Sequence, residues 1–306
     1  MLDLLRNNEI LLQLMAINGL LALSIYLTLA CGQLSLANAA FMGLGAYAGA
    51  ALTIHAGWPF PAVLAVAVLA PAAVATIVGL PTLRLRGVFL AIATIGLGEV
   101  LRVVIVNLQV TGGAEGISRI PVKTQNWHLA LTLVIVAFLA WRLQGSRMGY
   151  AFEAIREDES AARTMGINTT FYKLAAFVLG AAIAGLAGAL KAHLSRAITP
   201  GDYDFTMAVN ILAFAIVGGI VSFAGPILGA VLLTLLPNLL RYVHLEAGWQ
   251  TLLANGVILL LVILFLPNGL VSLFTGRWRR PDPLSSSDEP AGSAGERKAD
   301  VGAAPG

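Results

Sequence analysis

An acidic and a basic residue, Glu99 and Arg102, stand three positions apart inside the apolar segment 88–107. In a helix this spacing places both side chains on one face, where they can neutralise each other. Ionisable residues in apolar spans are functional candidates, because moving a charge into an apolar medium costs several kcal/mol. Two interpretations are open from the sequence alone. The pair either fixes its helix to neighbouring helices or contacts a polar ligand.

Uncharged polar side chains in apolar surroundings form a second set of candidates. They are Gln33, Ser35, Asn38 and Thr94. Amide and hydroxyl groups of this kind can bind the ammonium and carboxylate groups of a zwitterion. They can equally form hydrogen bonds between packed helices, which is a common use of polar side chains in membrane proteins.

Residue spacings typical of enzymes are absent from the sequence. The histidines at positions 55, 128, 193 and 244 do not form a His-x-x-x-His pair that would indicate zinc. The single cysteine, Cys31, excludes an internal disulfide and a cysteine-based metal site. No Gly-x-x-x-x-Gly-Lys-Ser/Thr loop for ATP is present. We therefore expect a chain that is not an enzyme, with no catalytic residue, no metal and no cofactor of its own.

The composition indicates a membrane protein. Of the 306 residues, 58% are hydrophobic and 11% are charged, whereas about 25% of the residues in a soluble domain are charged. A bilayer core is crossed by a helix of about 20 apolar residues, and the chain contains many such segments. A β-barrel would show short alternating segments instead. The sequence therefore predicts an all-α polytopic membrane protein.

The apolar segments predict about nine transmembrane helices, with a range of eight to ten. They lie near 9–31, 36–54, 60–80, 88–107, 128–143, 171–194, 207–223, 226–243 and 250–268. The region 32–54 is rich in Gly and Ala, so a broken or re-entrant helix is an alternative to a full span there. The segment 128–143 is short for a span.

The basic residues predict how the chain is oriented in the membrane. Twelve of the 19 Lys and Arg residues fall at 84–86, 142–173 and 277–298, which nine spans place on one side. Lys and Arg are concentrated in cytoplasmic loops. We therefore expect these regions in the cytoplasm and the N-terminus outside. From Pro281 onward the composition is typical of a disordered tail.

A charged segment interrupts the apolar chain at 145–173, where eight charged residues occur. Within it, residues 151–165 favour a helix, and Gly166 stands where a C-terminal glycine would end it. Two interpretations are open. The helix either connects two spans in water or docks onto a soluble partner and transmits its motion.

The residues of this segment resemble a known family. The sequence ESAARTMG at 159–166 is similar to the EAA loop of ABC-importer permeases. Other blocks resemble the branched-chain amino acid permease family, specifically its LivM-type subunit, over about 18–270. These blocks are 32–47, 83–102, 111–117, 217–230 and 267–270. The Leu-Pro that ends the EAA loop of many importers is absent, and Lys173, Leu174 and Ala175 stand near its place.

The resemblance implies an ABC-importer permease architecture with a cytoplasmic coupling helix. It divides the chain into three regions. Residues 1–17 form an external N-terminal segment and the start of the first span, and residues 18–270 form the transmembrane permease domain. Its coupling loop is 144–173. Residues 271–306 form a cytoplasmic tail, which we expect to be disordered.

The resemblance also implies a function and partners. The chain would be one permease subunit of an ATP-driven importer that moves leucine, isoleucine or valine across the bacterial inner membrane by alternating access. A second homologous permease, two cytoplasmic ATPases that bind ATP and Mg, and a periplasmic substrate-binding protein would complete it, without nucleic acid. The same machinery for urea or short-chain amides is an alternative. An autonomous ion-coupled transporter is another, and only Glu99 supports it.

Site residues follow from these expectations. The substrate path is expected to include Gln33, Ser35, Asn38, Thr94, Glu99 and Arg102. The surface that docks the ATPase is expected to include Arg156, Glu157, Asp158, Glu159, Ala161, Ala162 and Gly166.

Overall fold

The computed structural model describes residues 2–85 and 87–242, together with residues 256 and 270. The helices are α1 (Leu2–Ala30), α2 (Asn38–His55), α3 (Phe60–Thr82), α4 (Val88–Asn107), α5 (Asn126–Gln144), α6 (Arg147–Glu157), α7 (Glu159–Thr164), α8 (Thr169–Ser195), α9 (Phe205–Gly218) and α10 (Ala224–Tyr242). Short 3₁₀ helices lie at Gln109–Thr111, Gly113–Glu115 and Pro200–Tyr203. The described part contains no β-strand, only an isolated bridge between Ile117 and Ile198. The predicted all-α fold is confirmed.

Five helices in the described part are long and apolar enough to cross a membrane: α1 from Glu9 onward, α3, α4, α5 and α8. Helices α9 and α10 are apolar as well, but the apolar part of each is shorter. The chain is therefore a multi-pass membrane protein. The predicted ninth span, 250–268, and the predicted tail, 271–306, lie outside the described residues.

One predicted span needs correction at its end. The apolar segment 207–223 is not helical throughout, because α9 ends at Gly218. Gly219 has a φ of +94°, a conformation that continues no right-handed helix. A Cβ on Gly218 would overlap the carbonyl of Gly225. The apolar run therefore contains a tight glycine turn between α9 and α10, which hydrophobicity alone does not reveal.

Helix α8 is the centre of the fold and packs along α1, α2 and α3. Glycines bring its backbone into direct contact with theirs. A Cβ on Gly188 would overlap the carbonyl of Met42 in α2, and one on Gly185 would overlap the carbonyl of Ala67 in α3. Close approach of backbones through small residues is the usual way in which membrane helices gain packing energy. These contacts fix α2 and α3 against α8.

The connection between α1 and α2, residues 31–37, is not helical and lies inside the protein. The Leu36 N–H donates to Thr94 Oγ1 of α4 at 3.0 Å, and Asn38 Nδ2 donates to Ser24 Oγ of α1 at 2.9 Å. Ser24 and Thr94 each lie six residues inside their helices, which corresponds to a depth of about 9 Å. Helix α2 is continuous from this point. The irregular segment therefore precedes it and does not interrupt it.

A second irregular segment, residues 196–204, enters from the opposite face. Its Ile198 exchanges backbone hydrogen bonds of 3.0 and 2.9 Å with Ile117. The segment ends in the 3₁₀ helix that carries Tyr203, whose ring packs on Gly43 of α2. A Cβ on Gly43 would lie 3.0 Å from the Cγ atom of Tyr203. Gly43 precedes the C-terminal end of α2 by twelve residues, or about 18 Å along the helix.

The glycine contacts of α8 predict a specific stability effect. Gly188→Ala adds a methyl group that overlaps the Met42 carbonyl, so we expect a loss of about 1–3 kcal/mol. Gly96→Ala is the matched control, since nothing lies within 4 Å of a Cβ at that position of α4. Thermal unfolding in detergent measures both. Equal unfolding temperatures for the two variants would contradict the packing described for α8.

Candidate functional site

The charged segment folds as two helices and not as the single predicted helix 151–165, which is wrong in this respect. Asp158 separates α6 from α7 with an extended backbone, φ −152° and ψ 109°. Its carboxylate accepts the N–H groups of Ser160 at 2.8 Å and Ala161 at 3.0 Å. This is the geometry of a helix N-cap. The sequence pattern predicted one continuous helix through this position, but the Asp158 side chain caps the N-terminus of a second helix, α7.

The hydrogen bonds of the cap also act on the acidity of Asp158. The bonds donated by Ala161 and Ser160 stabilise the carboxylate and lower its pKa below the usual value. A lowered pKa means that the cap stabilises the fold at any pH above the ordinary value of about 4. This stabilisation is lost only as the pH falls through the lower, folded-state pKa. The cap is therefore complete at neutral pH.

Helix α7 ends at the position that the sequence predicted, just before Gly166. Gly166 has a φ of +85°, its N–H donates to Arg163 O, and the Ile167 N–H donates to Ala162 O, each at 3.1 Å. These two bonds form a Schellman motif, in which the glycine adopts the left-handed conformation. The prediction that Gly166 terminates the helix is confirmed.

The inner face of α6 and α7 packs on the transmembrane helices. Phe152, Ile155 and Ala162 are buried with Cys31 at the end of α1 and Ala176 in α8. Ala162 was expected among the docking residues, and the structure places it in this buried cluster, 4% exposed. Its contact with the transmembrane helices anchors α7 to the rest of the protein.

Gly32 allows α6 to approach the end of α1. It has a φ of +70°, and a Cβ there would lie 3.0 Å from the Cα of Arg156. The side chain of Arg156 is 25% exposed and lies 3.8 Å from the carboxylate of Glu153. The backbone of α6 is thus held directly against the turn that follows α1.

An ion pair connects α7 to α8. The carboxylate of Glu159 lies 2.7 Å from Lys173 Nζ and 3.1 Å from Arg163 Nη2. The Glu159 and Lys173 side chains are only 18% and 11% exposed, so solvent screens their attraction less than that of a surface pair. Arg163 also donates to Thr169 Oγ1 at 3.2 Å. Sequence reasoning placed Glu159 on the docking surface and missed its contact with Lys173, because nothing local marks a pair fourteen positions apart.

The outer face of α7 is exposed. Glu157, Asp158, Ala161 and Gly166 of the expected docking set are all on the surface. Met165 is the most exposed large apolar side chain of this face, at 83%, and it was not among the expected residues. An exposed methionine next to a helix end suits contact with another protein, because its flexible side chain adapts to the partner. Met165 follows the last residue of α7 as its C-cap, so its exposure comes from the end of the helix and had no signal in the helical spacing.

The Glu99–Arg102 pair forms as predicted within α4. Arg102 Nε and Nη2 donate to the Glu99 carboxylate at 3.0 and 2.9 Å. The side chains are 58% and 40% exposed for Glu99 and Arg102, respectively. Among the described residues, neither side chain forms a hydrogen bond or ion pair with another helix. The interpretation that the pair fixes α4 to its neighbours therefore has no contact to support it.

The uncharged polar candidates divide into two groups. Thr94 and Asn38 are buried and make hydrogen bonds between elements, which satisfies their polar groups within the chain. The hydroxyl of Ser35 accepts the N–H of Ala37 at 3.3 Å. Gln33 differs from these. It is 2% exposed, and its amide N and O have no hydrogen-bond partner in the described part of the chain.

Two small cavities lie beside Tyr203 at the level where the irregular segments meet. One, of about 40 Å³, is lined by Leu36, Glu99 and Asp204 as well as Tyr203. The other, of about 10 Å³, is lined by Tyr47, Arg102 and Tyr203. The hydroxyls of both tyrosines are buried without a partner among the described residues. Buried polar groups are rarely left unpaired, so this region retains unused hydrogen-bonding capacity.

Comparison with known proteins decides the family. The model of the family described as "Branched-chain amino acid transport system / permease component" matches residues 8–266. The chain belongs to this permease family. The match begins ten residues before the resemblance seen in the sequence, and it includes α4, α8 and both helices of the charged segment.

Named relatives of this permease family are similar over most of the chain. The high-affinity branched-chain amino acid transport system permease protein LivM of Salmonella typhimurium strain LT2 is 34% identical, over 79% of this chain and 64% of that protein. LivM of Escherichia coli K12 is 33% identical over the same shares. The autoinducer 2 import system permease protein LsrC of Escherichia coli O9:H4 is 31% identical over 55% of this chain and 52% of its own length.

The chain thus spans about 64% of the length of the LivM relatives that it matches. No solved structure matches it.

The ion pair between α7 and α8 generates a charge-swap prediction. In this permease Glu159→Lys places two ammonium groups together at a site with little solvent, so we expect α7 to detach and substrate uptake to fall at least tenfold. The double variant Glu159→Lys/Lys173→Glu restores the attraction between positions 159 and 173, while the lysine at 159 still faces Arg163, so it should recover part of the uptake. Equal defects in the single and double variants would contradict a role of this pair.

The N-cap generates a second prediction. Asp158→Ala removes the acceptor for two N–H groups, so the amides of 159–165 should exchange with deuterium faster at neutral pH. Asp158→Asn keeps a capping oxygen and is the matched control, with exchange close to that of the unmodified chain. Mass-spectrometric hydrogen exchange measures both variants. Unchanged exchange in Asp158→Ala would show that the cap does not hold α7.

Proposed function

We propose that this chain is a permease subunit of an ATP-driven importer for branched-chain amino acids. The observation that carries the proposal is the connection of α6 and α7 to the transmembrane helices, with the Glu159–Lys173 contact of 2.7 Å at its centre. A helix that is exposed on one face and held to a span on the other has the geometry of a coupling element. Family membership and similarity to LivM support the cargo.

The proposed mechanism assigns the ATP chemistry to partner subunits. Two soluble ATPases bind ATP and Mg, and one of them docks on the exposed face of α7 around Met165. When the ATPases close, α7 moves with them, and the Glu159–Lys173 pair transmits the movement to α8. The spans of this subunit and of a second homologous permease then change between inward-facing and outward-facing states. A periplasmic binding protein delivers the amino acid.

The proposed location is the inner membrane of a bacterium, with several spans. The coupling loop 144–173 and the C-terminus lie in the cytoplasm, and the N-terminus lies in the periplasm. The concentration of Lys and Arg at 84–86 and 142–173 supports this orientation. In the structure, Cys31, the start of α8 and the helices α6 and α7 are clustered together, as one cytoplasmic face requires.

Two alternatives differ in cargo or in energy source. The similarity to LsrC shows that permeases named for other cargoes resemble this chain at a comparable identity, so urea or short amides remain alternatives for the same machinery. An autonomous ion-coupled transporter needs acidic or histidine relays in the spans. Among the five described membrane-crossing helices, only α4 carries an acidic residue in its interior, Glu99. The exposed docking face of α7 has no role in that alternative.

Co-purification tests the proposal. The tagged chain is solubilised from its native membrane, and we expect a second permease and ATPase subunits to accompany it. Met165→Asp places a charge in the docking face without disturbing buried residues, so ATPase recovery should fall at least tenfold. Val110→Asp, also exposed but far from the coupling loop, is the control and should leave recovery unchanged. Recovery of the chain alone in every case would favour the autonomous transporter.

Uptake by proteoliposomes that contain the purified complex tests the cargo. We expect ATP-dependent accumulation of leucine, isoleucine and valine that persists in the presence of a protonophore. Urea and acetamide serve as competing cargoes. Accumulation of these two without branched-chain amino acids would replace the proposed cargo, and uptake abolished by the protonophore would replace the proposed energy source.

A further inference from the structure

The middle of α4 carries its charged pair in an unusual environment. Glu99 lies eleven residues after the start of α4 and eight before its end, so it is near the centre of the span. On the same helix Ile92 and Val100 are each 60% exposed, which is normal for residues that face lipid. An exposed ion pair at this depth is costly in lipid and is found where a span faces protein or water.

Two breaks in regular structure converge on this pair. Residues 31–37 reach it from one face and residues 196–204 from the other, and Leu36 and Tyr203 line the same cavity with Glu99. Irregular backbone at membrane depth occurs where it is buried in protein or lines an aqueous cavity. Broken helices at mid-membrane are the usual place where transporters hold their substrate.

One polar group at this point can form a hydrogen bond that it does not form in the structure. The hydroxyl of Tyr203 is buried and has no partner in the described chain, although its ring lies against Gly43 and beneath Lys191, whose Nζ is 5.9 Å from the ring centre.

Arg102 lines one of the two cavities beside the Tyr203 ring, and Glu99 lines the other together with Asp204. The carboxylate of Asp204 accepts the Met207 N–H at 3.0 Å and caps α9. The charged groups that no neighbouring element of the described chain engages here are therefore those of the Glu99–Arg102 pair, next to the hydroxyl of Tyr203.

We propose that Glu99, Arg102 and the hydroxyl of Tyr203 form the subsite that holds the charged end of a zwitterionic amino acid halfway across the membrane. Arg102 binds the carboxylate, Glu99 binds the ammonium group, and Tyr203 donates a hydrogen bond to the carboxylate. This inference rests on the proposed function and adds the contact residues to it. The cavities of about 40 and 10 Å³ are too small for an amino acid. The Tyr203 ring between them must move aside when substrate enters.

The first test removes only the hydroxyl. Because that hydroxyl has no partner in the described chain, Tyr203→Phe should leave the unfolding temperature of the complex unchanged. A hydrogen bond to a charged group is among the stronger ones, so leucine uptake at saturating leucine should fall about tenfold or more. Tyr26→Phe removes the hydroxyl of a buried tyrosine that lines neither cavity, and its uptake should stay within about twofold of the unmodified complex.

The second test separates substrate contact from structural pairing. The variant Glu99→Arg/Arg102→Glu keeps two opposite charges three residues apart, so the complex should assemble in normal amount. Its uptake should be lost, because the two charges have exchanged places. Direct binding of leucine, 4-methylpentanoate and isopentylamine by the complex provides a second readout. The unmodified complex should bind leucine at least tenfold more tightly than either singly charged analogue, and Arg102→Gln should abolish the advantage of leucine over isopentylamine.

The outcomes are distinct. Normal uptake in Tyr203→Phe, equal losses in Tyr203→Phe and Tyr26→Phe, or restored uptake in the exchanged pair would each overturn the subsite. Absence of ATP-driven leucine uptake by the unmodified complex would overturn the proposed function itself, and the inference with it.

Discussion

The close packing of α8 against its neighbours is the contact on which the rest of the molecule depends. Gly185 and Gly188 let the backbone of α8 touch those of α3 and α2, and Gly180 does the same toward Ser24 of α1. Without a hydrophobic driving force between helices in lipid, such contacts supply much of the association energy. They also leave no room for adjustment, since a single methyl group at Gly188 would overlap a carbonyl oxygen. The backbones of α8, α2 and α3 are therefore packed as one unit with no space between them at these glycines.

This rigidity gives α8 its place in the proposed mechanism, because the helix connects two distant sites. Near its first turn Lys173 binds Glu159 of the coupling helix α7. Near its last turn Lys191 lies over the ring of Tyr203, the residue that separates the two mid-membrane cavities. Helix α8 has 27 residues and is therefore about 40 Å long, so it extends from its contact with α7 to the level of Tyr203. In the proposed mechanism, α8 carries a displacement of α7 toward Tyr203.

The sequence predicted the parts of this arrangement that depend on local composition. Apolar length predicted the five long membrane-crossing helices but not the early end of α9 at Gly218. The i, i+3 spacing predicted the Glu99–Arg102 pair, and the glycine at 166 predicted the end of α7. Other features depend on contacts between distant positions. The break at Asp158 results from a side chain that accepts two N–H groups, and the partner of Glu159 comes from the next helix. Tyr203 lies between α8 and α9, where no sequence pattern marked it, and only the fold brings it to Gly43.

Transmission from α7 to the cavities beside Tyr203 is the central claim, and thiol labelling at Ala208 tests it most directly. Ala208 is 4% exposed and lines the cavity of Glu99. The variant Ala208→Cys, made in a Cys31→Ser background, therefore places a single buried thiol in this cavity. Ser195→Cys in the same background is the control, because Ser195 is exposed. We predict that ATP changes the rate at which an impermeant maleimide labels position 208. The change should disappear with Glu159→Lys and return in part with Glu159→Lys/Lys173→Glu, while labelling at 195 stays constant. The same ATP response with and without Glu159→Lys would contradict the account.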